Sequence, residues 1–162
     1  VLSPSELVNY LNTIFSHFDE LAAKYEMEKI KTIGDAYMVS GGLPSHTAGH
    51  LERMADMALE MIEYVEAHQY HGDVEKLQIR IGFHTGPVVA GVIGVKKFAY
   101  DLWGDTVNIA SRMESHGEPG KVNVTETVKD QLEDKFIFDD RREVDVKGKG
   151  LMRTYALISR KQ

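Results

Sequence analysis

The sequence predicts an α+β fold, with helices packed over a sheet. Three observations carry that expectation. Long stretches repeat apolar residues at three-to-four spacing, as a helix with one buried face requires. Short runs rich in isoleucine, valine, threonine and aromatic residues lie between and after them, several hinged at glycine turns. Helices alternate with strand pairs, with no internal repeat, low-complexity segment or domain linker. At 162 residues the chain is expected to form one domain over 1–162, large enough for a real core.

The elements follow in order. Ser3, Pro4 and Ser5 start a helix, and Leu7, Leu11, Ile14, Phe18, Leu21 and Tyr25 give it one apolar stripe. Lys29 to Val39 reads as two β-rich runs hinged at Gly34-Asp35, because glycine accepts positive φ and aspartate tolerates it better than most. Gly41-Gly42-Leu43-Pro44-Ser45 ends the hairpin. A second amphipathic helix runs from about His50 to His68, with Leu51, Met54, Ala55, Ala58, Met61, Ile62 and Val65 on its stripe and its methionines as core filler. His71-Gly72-Asp73 breaks it.

Residues 77–84 alternate apolar and polar as a strand does, and Gly86-Pro87 turns into a more buried strand at residues 88–94. Residues 98–104 form a strand running into a loop, followed by a helix from Asp105 to about His116. Val122-Asn123-Val124 is a short strand, and Thr125 caps a helix over 126–134. Residues 136–138, 143–147 and 154–158 are the last strands.

Composition narrows the function. A net charge of −6, from 25 acidic and 19 basic residues, argues against nucleic-acid binding, which needs a basic footprint, yet leaves local phosphate binding open. Without cysteine there is no disulfide, thiolate metal site or catalytic thiol, which suits a reducing, cytoplasmic compartment. No apolar run approaches a membrane span, so no direct membrane contact is expected. The chain opens at Val1 without a methionine and is expected to be a piece of something longer.

Several positions could carry chemistry. Asp35 at the hairpin tip is either a turn aspartate kept for its propensity or a ligand for a hard cation such as Mg²⁺. Lys31 and Asp101 each interrupt apolar strand surroundings. They are either unrelated charges or a pair that reads adenine, the lysine donating to N1 and the carboxylate accepting from the exocyclic amine. Sites built that way discriminate by roughly 10⁴–10⁵. Asn108 and Arg112 are four apart and share a helix face, with Ser111 beside it. They are either a solvated polar stripe or, given flanking Val107, Ile109, Ala110 and Met113, groups leaving a largely buried helix toward a sugar and a phosphoryl group. Val146-Lys147-Gly148-Lys149-Gly150 is a solvated hairpin turn or a phosphate cradle, although GxxxxGK[ST] and GxGxxG are both absent. His46 and His50 lie in an expected loop without HExxH, so no zinc site is expected, and no GxSxG marks a nucleophilic hydrolase.

Three long stretches together resemble class III nucleotide cyclases, in that family's order and across nearly the whole chain. They are Glu28-Lys29-Ile30-Lys31-Thr32-Ile33-Gly34-Asp35-Ala36-Tyr37-Met38, the run Tyr100-Asp101-Leu102-Trp103-Gly104-Asp105-Thr106-Val107-Asn108-Ile109-Ala110-Ser111-Arg112-Met113-Glu114, and Val146-Lys147-Gly148-Lys149-Gly150 with Thr154-Tyr155. The resemblance implies a ferredoxin-like βαββαβ core with C-terminal additions, and a catalytic domain of adenylyl cyclase type. It gives Asp35 the role of one of two metal-binding aspartates, for two Mg²⁺ ions (or Mn²⁺) per site. Lys31 and Asp101 match the base-reading positions as an adenine-type pair, which implies ATP. Asn108 matches the ribose-orienting asparagine, Arg112 the transition-state arginine and Lys147 the lysine that holds the β- and γ-phosphates.

The implied product is 3′,5′-cyclic AMP with pyrophosphate, made at sites shared across a head-to-tail homodimer or a paired cyclase domain. Lys31 and Asp35 would then serve different active sites. The first metal aspartate and one central strand are expected upstream of Val1. The alternatives are a guanylyl cyclase and a catalytically silent, nucleotide-binding partner of a cyclase.

Overall fold

A computed structural model describes residues 3–43, 48–69, 77–97 and 99–162. The expected features at Pro44-Ser45, His46, 71–73 and Phe98 lie outside the described residues. The chain divides into two compact units, Val1–Ile79 and Arg80–Gln162. Its elements are mixed α and β, as expected.

In the first unit, α1 (Pro4–Lys24) starts where the Ser3 hydroxyl accepts the Glu6 N–H at 3.2 Å, with proline at the helix start, where no partner for an N–H is needed. It buries Ile14, Phe18, Leu21 and Ala22. The hairpin is β1 (Glu28–Ile33) and β2 (Ala36–Ser40), paired antiparallel. Gly34 takes the positive φ of the turn, at 58°, and Asp35 does not, so glycine alone meets the conformational demand. The next element, α2 (His50–Ala67), buries Ala55, Met57, Ala58, Met61 and Val65; Met57, off the expected stripe, is fully buried. Its Tyr64 ring stacks on His17 of α1 at 3.7 Å, and Glu60 accepts from Lys24 and Tyr25, each at 2.7 Å.

The second unit holds β3 (Ile81–Phe83), β4 (Val89–Ile93), β5 (Ala99–Trp103), α3 (Asp105–Ser115), β6 (Val122–Thr125), α4 (Glu126–Leu132), β7 (Phe136–Val146) and β8 (Gly150–Arg160). Four strands form a sheet in the order β3-β6-β8-β7, with β3 and β6 parallel and the other pairs antiparallel. Its core is Val122, Val124, Val128, Leu132, Phe136, Ala156 and Leu157. β4 and β5 make a separate antiparallel hairpin. Among the described residues no helix is long and apolar enough to cross a membrane.

The structure corrects four local expectations. The strand expected over 77–84 covers only residues 81–83, because the Gln69 side-chain amide meets both the N–H and the carbonyl of Leu77, at 2.8 and 2.9 Å, in place of a neighbouring strand. The two strands expected at 136–138 and 143–147 are one strand, carried through by an irregularity between Asp139 and Arg142 where Asp140 takes φ 56°. Thr125 precedes α4 but makes no side-chain cap; its hydroxyl is 2.6 Å from His84 Nδ1 instead. Finally, β4 is mostly exposed: Val89 is 66%, Val92 61% and Val95, just beyond it, 91% accessible. An apolar strand left uncovered in a single chain is a surface for contact.

Candidate active site

The first unit positions Lys31 and Asp35. In β1 the register slips between Lys29 and Lys31, pairing Lys29 with Val39 and Lys31 with Met38. The extra residue is Ile30. Regular alternation would put Lys29 and Lys31 on one face; the bulge pairs them with adjacent residues of β2, so they part to opposite faces. Lys29 turns to α1, where its ammonium is 3.1 Å from Asp19 and lies over the Tyr37 ring. Tyr37 donates to the same Asp19 carboxylate at 2.7 Å and packs against Phe15 and Phe18. Burial, then the hydrogen bond and charge of Asp19, push the Tyr37 hydroxyl far above the usual tyrosine range, so it stays a donor. This cluster fastens one face of the hairpin to α1 and leaves Lys31, half-buried, on the other face. Asp35 stands exposed at the tip, and no hydrogen bond or ion pair engages its carboxylate among the described residues.

The second unit positions Asp101, Asn108, Arg112 and Lys147. Asp101 is half-buried on β5, opposite Gly91, and its Oδ1 accepts the Leu102 N–H at 2.8 Å. On α3, Ile109 and Met113 face inward and form a cluster with Val146, flanked by Val144 and Met152. Their neighbours Asn108 and Arg112 therefore face outward, and both are exposed. The helix is less buried than its flanking apolar residues suggest: Ile109 and Met113 are its buried residues.

Three contacts hold α3 in place. Its backbone rides so close on β3 that an added Cβ at Gly82 would sit 2.1 Å from Glu114 N. Asn123 Nδ2 donates to the Met113 carbonyl at 2.9 Å, and Thr106 Oγ1 to the Pro87 carbonyl at 2.7 Å.

Val146 also ends β7, so the same cluster sets α3 beside the turn that carries Lys147. That turn is closed by the Lys149 N–H on the Val146 carbonyl at 2.8 Å, with Gly148 and Gly150 at positive φ. Lys149 donates to Asp105, the first residue of α3, while Lys147 is exposed. The structure thus sets α3, with Asn108 and Arg112, beside the turn that carries Lys147.

The asparagine, the guanidinium and the Lys147 ammonium make no hydrogen bond or ion pair among the described residues. Sequence reasoning placed Lys149 in a possible phosphate cradle but missed its pairing with Asp105, which nothing local signals. Of the two histidines four apart, His46 lies outside the described residues, and His50 opens α2 against Gly42. For a divalent cation, Asp35 offers an uncommitted, exposed carboxylate suited to a hard ion. Among the described residues no three metal-ligating side chains cluster.

Residues 1–159 match the family model described as the adenylate and guanylate cyclase catalytic domain. An adenylate cyclase of Mycobacterium bovis is 45% identical over 159 residues, covering 98% of this chain and 36% of that protein. The guanylate cyclase soluble subunit beta-2 of Rattus norvegicus is 49% identical over 158 residues, covering 96% of this chain and 23% of that protein. The chain thus spans about a third or less of these relatives. The crystal structure of the guanylate cyclase domain of RhGC from Catenaria anguillulae, in complex with GTP, matches with a TM-score of 0.90 at 35% identity, over 99% of this chain and 87% of that one.

Proposed function

The chain belongs to the adenylate and guanylate cyclase catalytic domain family, and from that premise we propose that it cyclises ATP to 3′,5′-cyclic AMP and pyrophosphate. The observation that carries the choice of ATP is the pair of residue types on the two hairpins. Lys31 is set apart from Lys29 by the Ile30 bulge, and Asp101 faces a glycine across its hairpin. A lysine donor and a carboxylate acceptor fit N1 and the exocyclic amine of adenine. Guanine, with a donor at N1 and a carbonyl at C6, would leave both unpaired.

In this reading Asn108 orients the ribose so that its 3′-oxygen faces the α-phosphorus in line. The bond from that oxygen to phosphorus forms as the bond to the bridging oxygen of the β-phosphate breaks, and the 3′-hydroxyl proton leaves to solvent or a phosphate. Arg112 meets the charge that develops on the α-phosphoryl oxygens, where a fixed donor lowers the barrier most. Lys147 holds the β- and γ-phosphates and steadies departing pyrophosphate. Asp35 would hold Mg²⁺ or Mn²⁺, two ions per site, which when bound favour the 3′-alkoxide and offset phosphate charge.

The active unit is a dimer with sites completed across its interface. The exposed apolar side chains of β4 and its flank support this, because such a strand gains from being covered.

Parallel turnover of ATP and GTP with Mg²⁺ and Mn²⁺ tests the proposal. The expected result is cyclic AMP, with kcat/KM for ATP more than about tenfold that for GTP. Guanylate cyclases match the chain as well as adenylate cyclases do, so a GTP preference would establish the second reading. Nucleotide binding without either product would overturn both in favour of a silent partner.

A further inference from the structure

Gly91 stands directly across the β4–β5 hairpin from Asp101, so the two positions share a face. A glycine inside a strand weakens it and has no side chain to pack, so its presence has a cause to be found. The backbone is not that cause, since Gly91 is absent from the glycines with positive φ. Nor is crowding within the chain. An added Cβ would meet Trp103 Cζ3 at 3.4 Å and Cη2 at 3.9 Å, and nothing else among the described residues within 4 Å. Those are ordinary van der Waals contacts, and an alanine would fit. What glycine does here is leave the surface beside the Asp101 carboxylate open, with the partly exposed Trp103 indole along one side.

We propose that Gly91 is a substrate-determining position of the nucleotide site, its missing side chain making room for the purine whose exocyclic amine Asp101 accepts. This rests on the adenylyl cyclase reading above. Any side chain at Gly91 projects on Asp101's face and competes with the base for that space, while the reacting phosphates, held by other residues, are untouched. The effect therefore falls on nucleotide affinity and not on the chemical step.

The test measures binding of a ribose-labelled fluorescent ATP analogue, together with steady-state cyclase kinetics, for the whole chain and for Gly91→Ala and Gly91→Val. Valine favours strands, so the variant is expected to fold, and thermal midpoint and sedimentation confirm it. Gly91→Ala is expected to raise Kd and KM roughly three- to tenfold and Gly91→Val by more than about tenfold, with kcat within about twofold. In an Asp101→Ala background both penalties shrink, because the base is no longer drawn to that face. Unchanged affinity in Gly91→Val overturns the proposal. So does an equal penalty without Asp101, which marks a purely structural glycine, and so does affinity lost only together with the dimer, which marks a partner contact. An unsubstituted chain that binds no nucleotide overturns the functional reading itself, and is distinguished by that control alone.

Discussion

Lys149, in the turn between β7 and β8, donates to the carboxylate of Asp105, the first residue of α3, across 44 positions of sequence. The pair ties the turn that carries Lys147 to the helix that carries Asn108 and Arg112. With side-chain exposures of 39% and 68%, it is screened by water and contributes only about 0–1 kcal/mol to stability. Its effect is on geometry. Asp105→Ala is therefore expected to shift the thermal midpoint little and to raise KM for ATP several-fold, since the turn loses its tether. Lys149→Ala should do the same. A large fall in midpoint with unchanged KM would show that the pair serves folding alone.

Asp35 and Arg112 offer a test of where the active site lies. Both are exposed and neither is bonded within the chain among the described residues, so replacing either with alanine should leave stability within about 0.5 kcal/mol. Each variant alone is expected to lose more than about 100-fold in kcat. If sites form between two copies, an equal mixture gives half heterodimers with one intact site each, and about a quarter of the wild-type rate returns. Heterodimers that form without recovering activity would place both residues in one subunit's site.

Gly82 reports on how α3 is held. A Cβ there would lie 2.1 Å from Glu114 N and 2.4 Å from the Met113 carbonyl carbon, both backbone atoms of the helix. Neither can step aside as a flexible side chain does. Gly82→Ala is expected to lower stability by about 1–3 kcal/mol or more, read from the urea midpoint, and to reduce kcat by displacing Arg112. An unchanged midpoint would mean that the contact relaxes without cost.

Much of this was legible because it is local. The stripes of α1 and α2, the Gly34 turn and the helix after Asp105 follow from spacing and turn chemistry within a few residues. What was not legible depends on partners far along the chain. The Ile30 bulge is a property of pairing, and alternation alone puts Lys29 and Lys31 on one face. Lys147 stood out in its glycine-flanked turn, but which nearby lysine Asp105 would engage could not be read. The apolar run of β4 signalled burial, and the single chain leaves it exposed, because a run of apolar residues does not record whether anything packs over it. The candidate residues themselves came from a family resemblance; spacing alone supported no more than a phosphate-binding domain.

His84 gives the fold a dependence on pH. Its Nδ1 lies 2.6 Å from the Thr125 hydroxyl, which is 1% exposed, at the parallel junction of β3 and β6. Burial disfavours the imidazolium and lowers the pKa below its ordinary 6.5. Between the folded value and 6.5 the unfolded chain binds more protons than the folded one. Stability therefore rises with pH across that window, is complete above about 6.5, and is lost as pH falls toward the folded value. The urea midpoint of the unsubstituted chain should drop between pH 7 and pH 5 more steeply than that of His84→Asn, which keeps a polar partner for Thr125 but does not titrate. The same slope in both would show that His84 binds its proton as readily in the folded chain as in the unfolded one.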